Sequence, residues 1–394
     1  MKVITESTDI IPSYDLSNIS PLREILMFDI ETTGLKKEAT QIYLIGVGFF
    51  DCSGRLTIRQ WLAQSAADEK NILKAFLEFA VGFKTLLHFN GDTFDIPYTR
   101  YKAELYELDF CLDKMNGVDI YKTIKPCKNF LSLSHMNQTS IEDFLGITRR
   151  DKMNGGLLIP YYYRYELSLD RECEDLLLLH NNDDIRGMAK IACILSFSDI
   201  LEGRFSYADS EIYKGRLILR YRLCSAVPVR VDRGDEDAAV AAEDDLLTIS
   251  LNIRNETAKI PIKNVNDYYY LPAEDMIIHK DLAEFVGKQF KKKANKSNCF
   301  LKRDGMYIPS FGIECVQSDG LFANHAEQIA NSTKGGIIED GTYILPDRQG
   351  KPEKYLDVNA LLNEKSDFLC AYAKRMIRSL KGDLAMKQSR KTHI

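Results

Sequence analysis

The chain has 394 residues, a net charge of −5 and nine cysteines, none of them in a C-x-x-C pair. The odd number of cysteines and their scattered positions argue against a secreted protein stabilised by disulfides. A chain of this length can bury two hydrophobic cores. The N-terminus has no apolar segment typical of a signal peptide, and no apolar run approaches the roughly 18 residues of a membrane span. We therefore expect a cytoplasmic protein with reduced thiols and no membrane association.

The first 200 residues alternate between strand-like and helix-like patterns. An apolar face at helical spacing predicts a helix over residues 68–83, and helices are also expected over 140–145 and from 170 to about 197. Runs rich in β-branched and aromatic residues predict strands over residues 25–31, 41–50, 56–62 and 84–89 and near 118–121. This order of elements predicts an α/β domain.

Two carboxylates stand at the end of the first predicted strand. Asp29 and Glu31 are two positions apart, so they share one face of an extended strand. Two like charges held together need a counter-ion, and hard divalent cations such as Mg²⁺ and Mn²⁺ prefer carboxylate oxygens. The pair by itself is equally compatible with two solvated acids on an exposed strand.

Two later segments carry further groups of the same kind. Asp95 lies just beyond the end of the predicted strand 84–89. His180 and Asp184 are four residues apart in the long predicted helix, which puts them on one face about one turn apart. The chain thus offers four acids in three ordered segments.

These segments resemble the Exo I, Exo II and Exo III motifs of the DnaQ-like 3′-5′ exonuclease superfamily, whose four acidic ligands give it the label DEDD. The segment from Asn90 to Tyr98 is also similar to that of proofreading domains in family B DNA polymerases. The stretch from about residue 23 to 195 most closely resembles the bacterial ribonuclease-H-like exonuclease-domain family. The resemblance implies a ribonuclease-H-like mixed sheet flanked by helices, in a domain over residues 23–200 that follows an extension over residues 1–22.

The resemblance also implies roles for individual residues. Two divalent ions, Mg²⁺ or Mn²⁺, would be held by the acids, with Asp29, Glu31 and Asp184 on the ion that activates water. Asp29 would bridge to a second ion supported by Asp95. The terminal nucleotide would meet two sets of residues, which are Thr32, Thr33, Gly34 and Leu35 on one side and Asn90 and Phe94 on the other.

One position departs from the family pattern. Members with a histidine base place it five residues before the last aspartate, and members with a tyrosine place it four before. Position 179 is Leu and position 180 is His, so His180 occupies the tyrosine position. His180 is the candidate for orienting or deprotonating the water, and the alternative is a surface histidine that bonds a carbonyl while the metal alone generates hydroxide.

Three neighbouring assignments are left open by the sequence. Asp183 competes with Asp184 as a ligand, but only Asp184 stands one helical turn after His180. Asp119 is similar to an aspartate that supports such sites without being a ligand. Arg149 and Arg150, after the helix predicted over 140–145, are either phosphate contacts or exposed turn arginines.

The pattern of predicted strands and helices changes from about residue 205. We therefore predict an α+β accessory domain over residues 205–394. A hairpin is expected over residues 216–232 and a strand pair over 246–262, followed by helices over 279–294 and 357–381. Residues 280–303 hold eight Lys or Arg against two acids, and residues 374–394 hold seven against one. Clusters of this kind are either solvated faces or contacts to a phosphate backbone.

The sequence therefore favours a metal-dependent 3′-5′ exonuclease that acts on single-stranded DNA or RNA ends, with nucleic acid as its partner. A catalytically idle nucleic-acid-binding module and a protein scaffold on the same fold are the alternatives. Loss of one of the four acids would indicate the idle module, and none is lost.

Overall fold

The computed structural model of this chain describes residues 1–151, 153, 155–262, 264–312, 343–346 and 352–389. The chain divides into two units, of which the first comprises residues 1–199 with 225–230 and the second residues 200–224 with 231–394. No helix in the described parts of the chain is long and apolar enough to cross a membrane. The eight cysteines within the described residues are all free thiols.

A six-stranded mixed sheet forms the centre of the first unit. Its spatial order is β1-β4-β3-β2-β5-β6, in which β2, β5 and β6 run parallel while β3 runs antiparallel to both β2 and β4. β1 lies in the segment expected to precede the domain, and it forms one edge of the sheet by pairing with β4. The strands are β1 (Lys2–Ser7), β2 (Ile25–Thr32), β3 (Ile42–Phe50), β4 (Leu56–Leu62), β5 (Thr85–His88) and β6 (Asn116–Asp119).

Helices connect and cover these strands. The long helix expected over residues 170–197 ends at Ile191, where a 3-10 turn separates it from the next helix. The helices are α1 (Glu69–Ala80), α2 (Asp95–Leu105), α3 (Ile120–Ile124), α4 (Lys128–Leu131), α5 (Gln138–Phe144), α6 (Gly155–Ser168), α7 (Arg171–Ile191) and α8 (Leu195–Glu202).

The two faces of β2 have different surroundings, and this difference creates the candidate site. Leu26, Phe28 and Ile30 belong to the main hydrophobic cluster of the unit, where the Phe28 ring stacks on Phe76 of α1 at 4.9 Å. Because side chains alternate along a strand, Asp29 and Glu31 project from the opposite face, where β2 packs against α7. The strand is thus anchored by its apolar face while its acidic face is directed at α7.

The second unit contains three separate sheets. Strands β7, β8 and β9 form one sheet, strands β10, β14, β16 and β15 close a barrel, and β12, β11 and β13 form the third. The strands are β7 (Phe205–Tyr213), β8 (Arg216–Gly234), β9 (Ala238–Asn252), β10 (Arg254–Pro261), β11 (Tyr268–Leu271), β12 (Met276–His279), β13 (Lys292–Lys293), β14 (Phe300–Pro309), β15 (Tyr343–Pro346) and β16 (Pro352–Asp357). The helices are α9 (Lys280–Ala283), α10 (Val358–Leu362) and α11 (Ser366–Ser389).

The predicted strand pairs of this unit were wrong. The expected hairpin over residues 216–232 is the single strand β8, which continues through Cys224 to Ala226 without a turn. The expected pair over 246–262 is the junction of β9 and β10, which meet at Ile253 and then enter different sheets.

The predicted helices of this unit also need correction. The helix expected over 279–294 ends at Ala283, and Lys292 and Lys293 instead extend a sheet by pairing with β11. The helix expected over 357–381 is interrupted after Leu362, which divides it into α10 and α11. The side chains of residues 381–394, which carry much of the second basic cluster, lie outside the described residues.

Candidate metal site

The carboxylate of Asp29 is held by a chain of amide side chains. Asn181 of α7 donates from Nδ2 to Oδ2 of Asp29 at 2.8 Å, and Gln60 of β4 donates from Nε2 to Oδ1 of Asn181 at 2.9 Å. Asn181 reaches Asp29 across β3 at Gly46, the residue paired with Asp29 in the sheet. A Cβ atom at Gly46 would lie only 2.0 Å from Oδ1 of Asn181, so glycine is required for this close approach.

We expect Gly46→Ala to lower the free energy of unfolding by about 1–3 kcal/mol, the usual range for overpacking, because Asn181 must leave both of its hydrogen bonds. Denaturant titration measures this change. Gly82→Ala is the matched control, since the nearest atom to its added Cβ is Phe79 O at 3.6 Å. Equal stability of the two variants would contradict the close approach of Asn181.

Asp95 reaches the same edge of the sheet from the start of α2. Its Oδ1 accepts a hydrogen bond from the backbone N of Ile30 at 3.3 Å, which ties Asp95 to β2 at the residue between Asp29 and Glu31. The turn that precedes Asp95 begins at Asn90, whose φ of 59° lies in the left-handed region. Asp95 is therefore positioned by backbone geometry at the end of β5.

Helix α7 brings His180 and Asp184 to Glu31. Nε2 of His180 lies 3.5 Å from Oε1 of Glu31 and 3.4 Å from Oδ2 of Asp184. One ligand atom from each of these three residues lies within 4.8 Å of the others, an arrangement able to hold a metal ion. The one-turn spacing in the helix thus has the effect expected from the sequence.

The electrostatics of the four acids reflect their crowding. Burial, with the charges of Asp184, Glu31 and Asp95, raises the pKa of Asp29 well above its ordinary value. Burial likewise raises the pKa of Glu31 to about 8, although the charge of His180 opposes this, and raises the pKa of Asp95 to about 7. Burial first, and the neighbouring acids second, thus oppose the charged forms of Asp29, Glu31 and Asp95.

A divalent cation fits this set of donors. The cluster supplies several carboxylate oxygens, which are ligands suited to Mg²⁺ or Mn²⁺. The hydroxyl of Tyr43 is buried beside the cluster, and burial, with the charges of Glu31 and Asp29, raises its pKa. Positive charge at this point would favour the ionised carboxylates and lower these pKa values.

The loop before α6 supplies two residues that the sequence did not single out as a unit. Arg149 forms an ion pair with Asp184, and its Nη1 lies 3.5 Å from Oε2 of Glu142. The carboxylate of Asp151 is hydrogen bonded to Nδ1 of His180. Because an ionised carboxylate can only accept, Nδ1 carries the ring proton and Nε2 faces Glu31 and Asp184. Asp151 was missed because a lone aspartate in a loop has no spacing that links it to His180.

Asp183 anchors this loop and does not face the acidic cluster. Its Oδ2 accepts hydrogen bonds from the backbone N of Arg150 at 2.7 Å and of Asp151 at 2.8 Å, and its Oδ1 accepts one from Nε of Arg150 at 2.8 Å. Burial opposes its charge, but these hydrogen bonds lower the pKa of Asp183 below its ordinary value. Of the two candidate ligands, Asp184 is the one beside His180 and Glu31.

The residues expected to meet the terminal nucleotide lie on both sides of the acids. Leu35 is 84% exposed, whereas Thr33 is buried and bonded to Gln41 at both its backbone N and its hydroxyl. The carbonyl of Gly34 accepts hydrogen bonds from the hydroxyls of Thr32 and Thr40.

On the other side, the Phe94 ring packs against Tyr98 at 5.4 Å. The backbone N of Asn90 donates to Oδ1 of Asp119 at 2.8 Å, so Asp119 supports this turn from the end of β6. Of the residues expected to contact a nucleotide, Leu35 presents the most exposed surface.

The chain is similar to one protein family and to several solved structures. The family described as the RNase_H superfamily matches residues 26–196. A family B DNA polymerase from the hyperthermophilic archaeon Pyrobaculum calidifontis is 10% identical with a TM-score of 0.36. The match covers 94% of this chain and 66% of the polymerase chain. The structure described as the ExoI/SSB-Ct complex is 9% identical with a TM-score of 0.31, and the match covers 91% of this chain and 73% of that one. Brucella melitensis NrnC is 15% identical with a TM-score of 0.23, and the match covers 50% of this chain and 93% of that one. No curated protein matches the chain.

The family match and the strand order define the class of protein. A mixed sheet with one antiparallel strand between parallel ones, flanked by helices, is a ribonuclease-H-like fold, as expected from the sequence. Residues 26–196 thus carry a ribonuclease-H-like fold, and the second unit is an additional domain with its own sheets.

Proposed function

We propose that the first unit is a 3′-5′ exonuclease that hydrolyses phosphodiester bonds at single-stranded DNA or RNA ends with two divalent ions, Mg²⁺ or Mn²⁺. The observation that carries this proposal is the convergence of Asp29, Glu31, Asp95 and Asp184 at one sheet edge, with His180 among them. The four acids come from β2, α2 and α7, which are separated in sequence, so local sequence alone does not account for their grouping.

The acids would divide between the two ions according to their positions. Glu31 and Asp184, which share His180 as a neighbour, would hold one ion together with Asp29. Asp29 and Asp95 would hold the second. Divalent ions at such a site lower the pKa of water and stabilise the negative charge that grows on the phosphate during hydrolysis.

His180 would receive the proton of the attacking water at Nε2. Its ring is oriented for this role because Asp151 binds Nδ1 and leaves Nε2 directed at Glu31 and Asp184. Burial opposes the charged form, but Glu31, Asp184 and Asp151 together raise the pKa of His180, so the ring accepts a proton more readily than a free imidazole.

Arg149 would contribute positive charge beside the reacting phosphate. It is already bound at Asp184, and a guanidinium can bind a phosphate oxygen as well as a carboxylate. In the second unit, Lys288, Lys292 and Lys293 are exposed, and Phe285, three residues before Lys288, is 89% exposed. Lysines and an exposed ring of this kind suit a single strand, through phosphate contacts and base stacking.

The decisive test offers linear single-stranded DNA and RNA, each labelled at the 5′ end, to the purified chain with Mn²⁺ or Mg²⁺. A ladder that shortens from the 3′ end and disappears with EDTA is the expected result. Circular single-stranded DNA is the matched control, because an exonuclease leaves it intact.

Other outcomes would revise the proposal in specific ways. Cleavage of the circle would establish an endonuclease. Binding of both linear strands without cleavage, under all metal conditions, would overturn the proposal in favour of a nucleic-acid-binding module.

A further inference from the structure

A second group of ligating side chains lies outside the acidic cluster. His88 ends β5, Asp119 ends β6 and Asp92 lies in the turn after β5. One ring nitrogen of His88 and one oxygen of each aspartate lie within 4.8 Å of one another. The parallel pairing of β5 with β6 sets His88 opposite Asp119, so strand register assembles this group from distant parts of the chain.

One nitrogen of the buried His88 ring lacks a hydrogen-bond partner among the described residues. The side chain is 1% exposed, and Nδ1 accepts a hydrogen bond from the backbone N of Gly91 at 3.2 Å. Nε2 is buried without a hydrogen-bond partner among the described residues, and it faces Oδ1 of Asp92 at 3.6 Å. A buried polar atom left without a partner costs free energy, which a bound ligand would recover.

We propose that His88, Asp92 and Asp119 bind one transition-metal cation, with Zn²⁺ as the favoured ion. A donor set of one imidazole and two carboxylates suits Zn²⁺, which leaves a fourth position for water. Ligand atoms about 2.1 Å from a tetrahedral Zn²⁺ lie about 3.4 Å apart. The 3.6 Å between Nε2 and Oδ1 of Asp92 is close to that value.

Coordination through Nε2 requires a change of tautomer. The ring proton moves to Nδ1, and the Gly91 amide gives up its contact with the ring. Oδ1 of Asp119 keeps its hydrogen bond from the backbone N of Asn90, so Oδ2 is the oxygen left for the cation.

Lys122 competes with the cation for Asp92. Its Nζ lies 3.3 Å from Oδ2 of Asp92, and its side chain is 76% exposed, so it can withdraw into solvent. Removal of this lysine would free Asp92 for the cation and tighten binding.

The bound cation would fix the turn that carries predicted site residues. The backbone N of Asn90 donates to Asp119, and Asp92 lies in the same turn, three residues before Asp95. A cation that joins His88, Asp92 and Asp119 therefore links the ends of β5 and β6 to this turn. The role is structural and does not depend on catalysis.

The test counts Zn²⁺ bound to the tag-free, chelator-treated full chain by calorimetry. The background is the Asp29→Asn/Asp184→Asn variant, which removes two of the proposed catalytic ligands. This background is expected to bind one Zn²⁺ per chain and to melt at a higher temperature when Zn²⁺ is added. Addition of Asp92→Asn is expected to weaken binding by at least roughly tenfold. Asp92 is 42% exposed, so this change does not disturb the core.

Two further variants complete the test. Lys122→Met is expected to tighten Zn²⁺ binding, and Asp113→Asn, an exposed aspartate that pairs with Arg100, is the matched control with unchanged binding. A background that binds no Zn²⁺, or that binds it equally well with Asp92→Asn, overturns the proposal. Neither result bears on nuclease activity, which is measured with the wild-type chain.

Discussion

Replacement of Asp29 by asparagine is expected to lower kcat/KM for oligonucleotide cleavage by about 10³-fold or more, because a lost metal ligand removes several kcal/mol of transition-state stabilisation. The same change is expected to stabilise the metal-free protein. Burial, together with repulsion from the three neighbouring carboxyl groups, raises the pKa of Asp29. The amide carries no charge and can still accept the hydrogen bond from Asn181.

Melting temperature measures the second half of this expectation. Without metal, the variant should melt above the wild type, by roughly 2–4 °C for each kcal/mol gained in a unit of this size. With Mn²⁺ the order should reverse, because only the wild type gains stability from tight binding. A general folding defect would lower the melting temperature of the variant both with and without metal, so it would not produce this reversal.

The control for this prediction is Asp175→Asn, a change of the same type on the exposed side of α7. It should alter neither cleavage nor the response to Mn²⁺. If Asp29→Asn cleaves as well as the control, the assignment of Asp29 to a metal is wrong. If it melts below the wild type without metal, the acids are not in mutual repulsion.

Removal of the imidazole in His180→Gln is expected to lower kcat by about 10²- to 10⁴-fold, the usual contribution of a general base, with KM for the oligonucleotide nearly unchanged. Asp151→Asn should lower kcat by a smaller factor. Its amide oxygen can still accept from Nδ1, but it lacks the charge that favours the orientation and protonation of the ring. Single-turnover cleavage at saturating metal separates the effect on kcat from binding.

The double variant tests whether Asp151 acts through His180. If Asp151 only positions the ring, His180→Gln with Asp151→Asn should be no slower than His180→Gln alone. Additive losses would contradict that role and point to a separate contribution of Asp151. The matched control is His135→Gln, which removes an exposed imidazole, and it should retain full activity.

The repeating patterns of the sequence were sufficient for much of the first unit. The strands β2 to β5 and the helix α1 were predicted close to their observed bounds because each buries one face, which imposes a period of two or of 3.6 residues on its apolar positions. The same periods put Asp29 beside Glu31 and His180 beside Asp184. These pairs needed no knowledge of the fold.

The second unit shows the limit of such patterns. β8 runs for 19 residues with alternating burial, although its sequence predicted a turn inside it. Lys292 and Lys293 have no strand pattern of their own and become a strand only by pairing with Tyr270 and Tyr269. Strand pairing between distant segments determines these elements, because their hydrogen bonds are made to a partner strand and not within the segment.

The sequence by itself thus determined the ribonuclease-H-like order of elements and the local pairs of metal-type ligands. Only the tertiary structure decided that Asp183 anchors a loop, that this loop carries Arg149 to Asp184 and Asp151 to His180, and that His88 meets Asp119. The physical reason is that periodicity fixes neighbours within one helix or strand. Contacts between elements depend instead on how their buried faces pack and on how their strands pair.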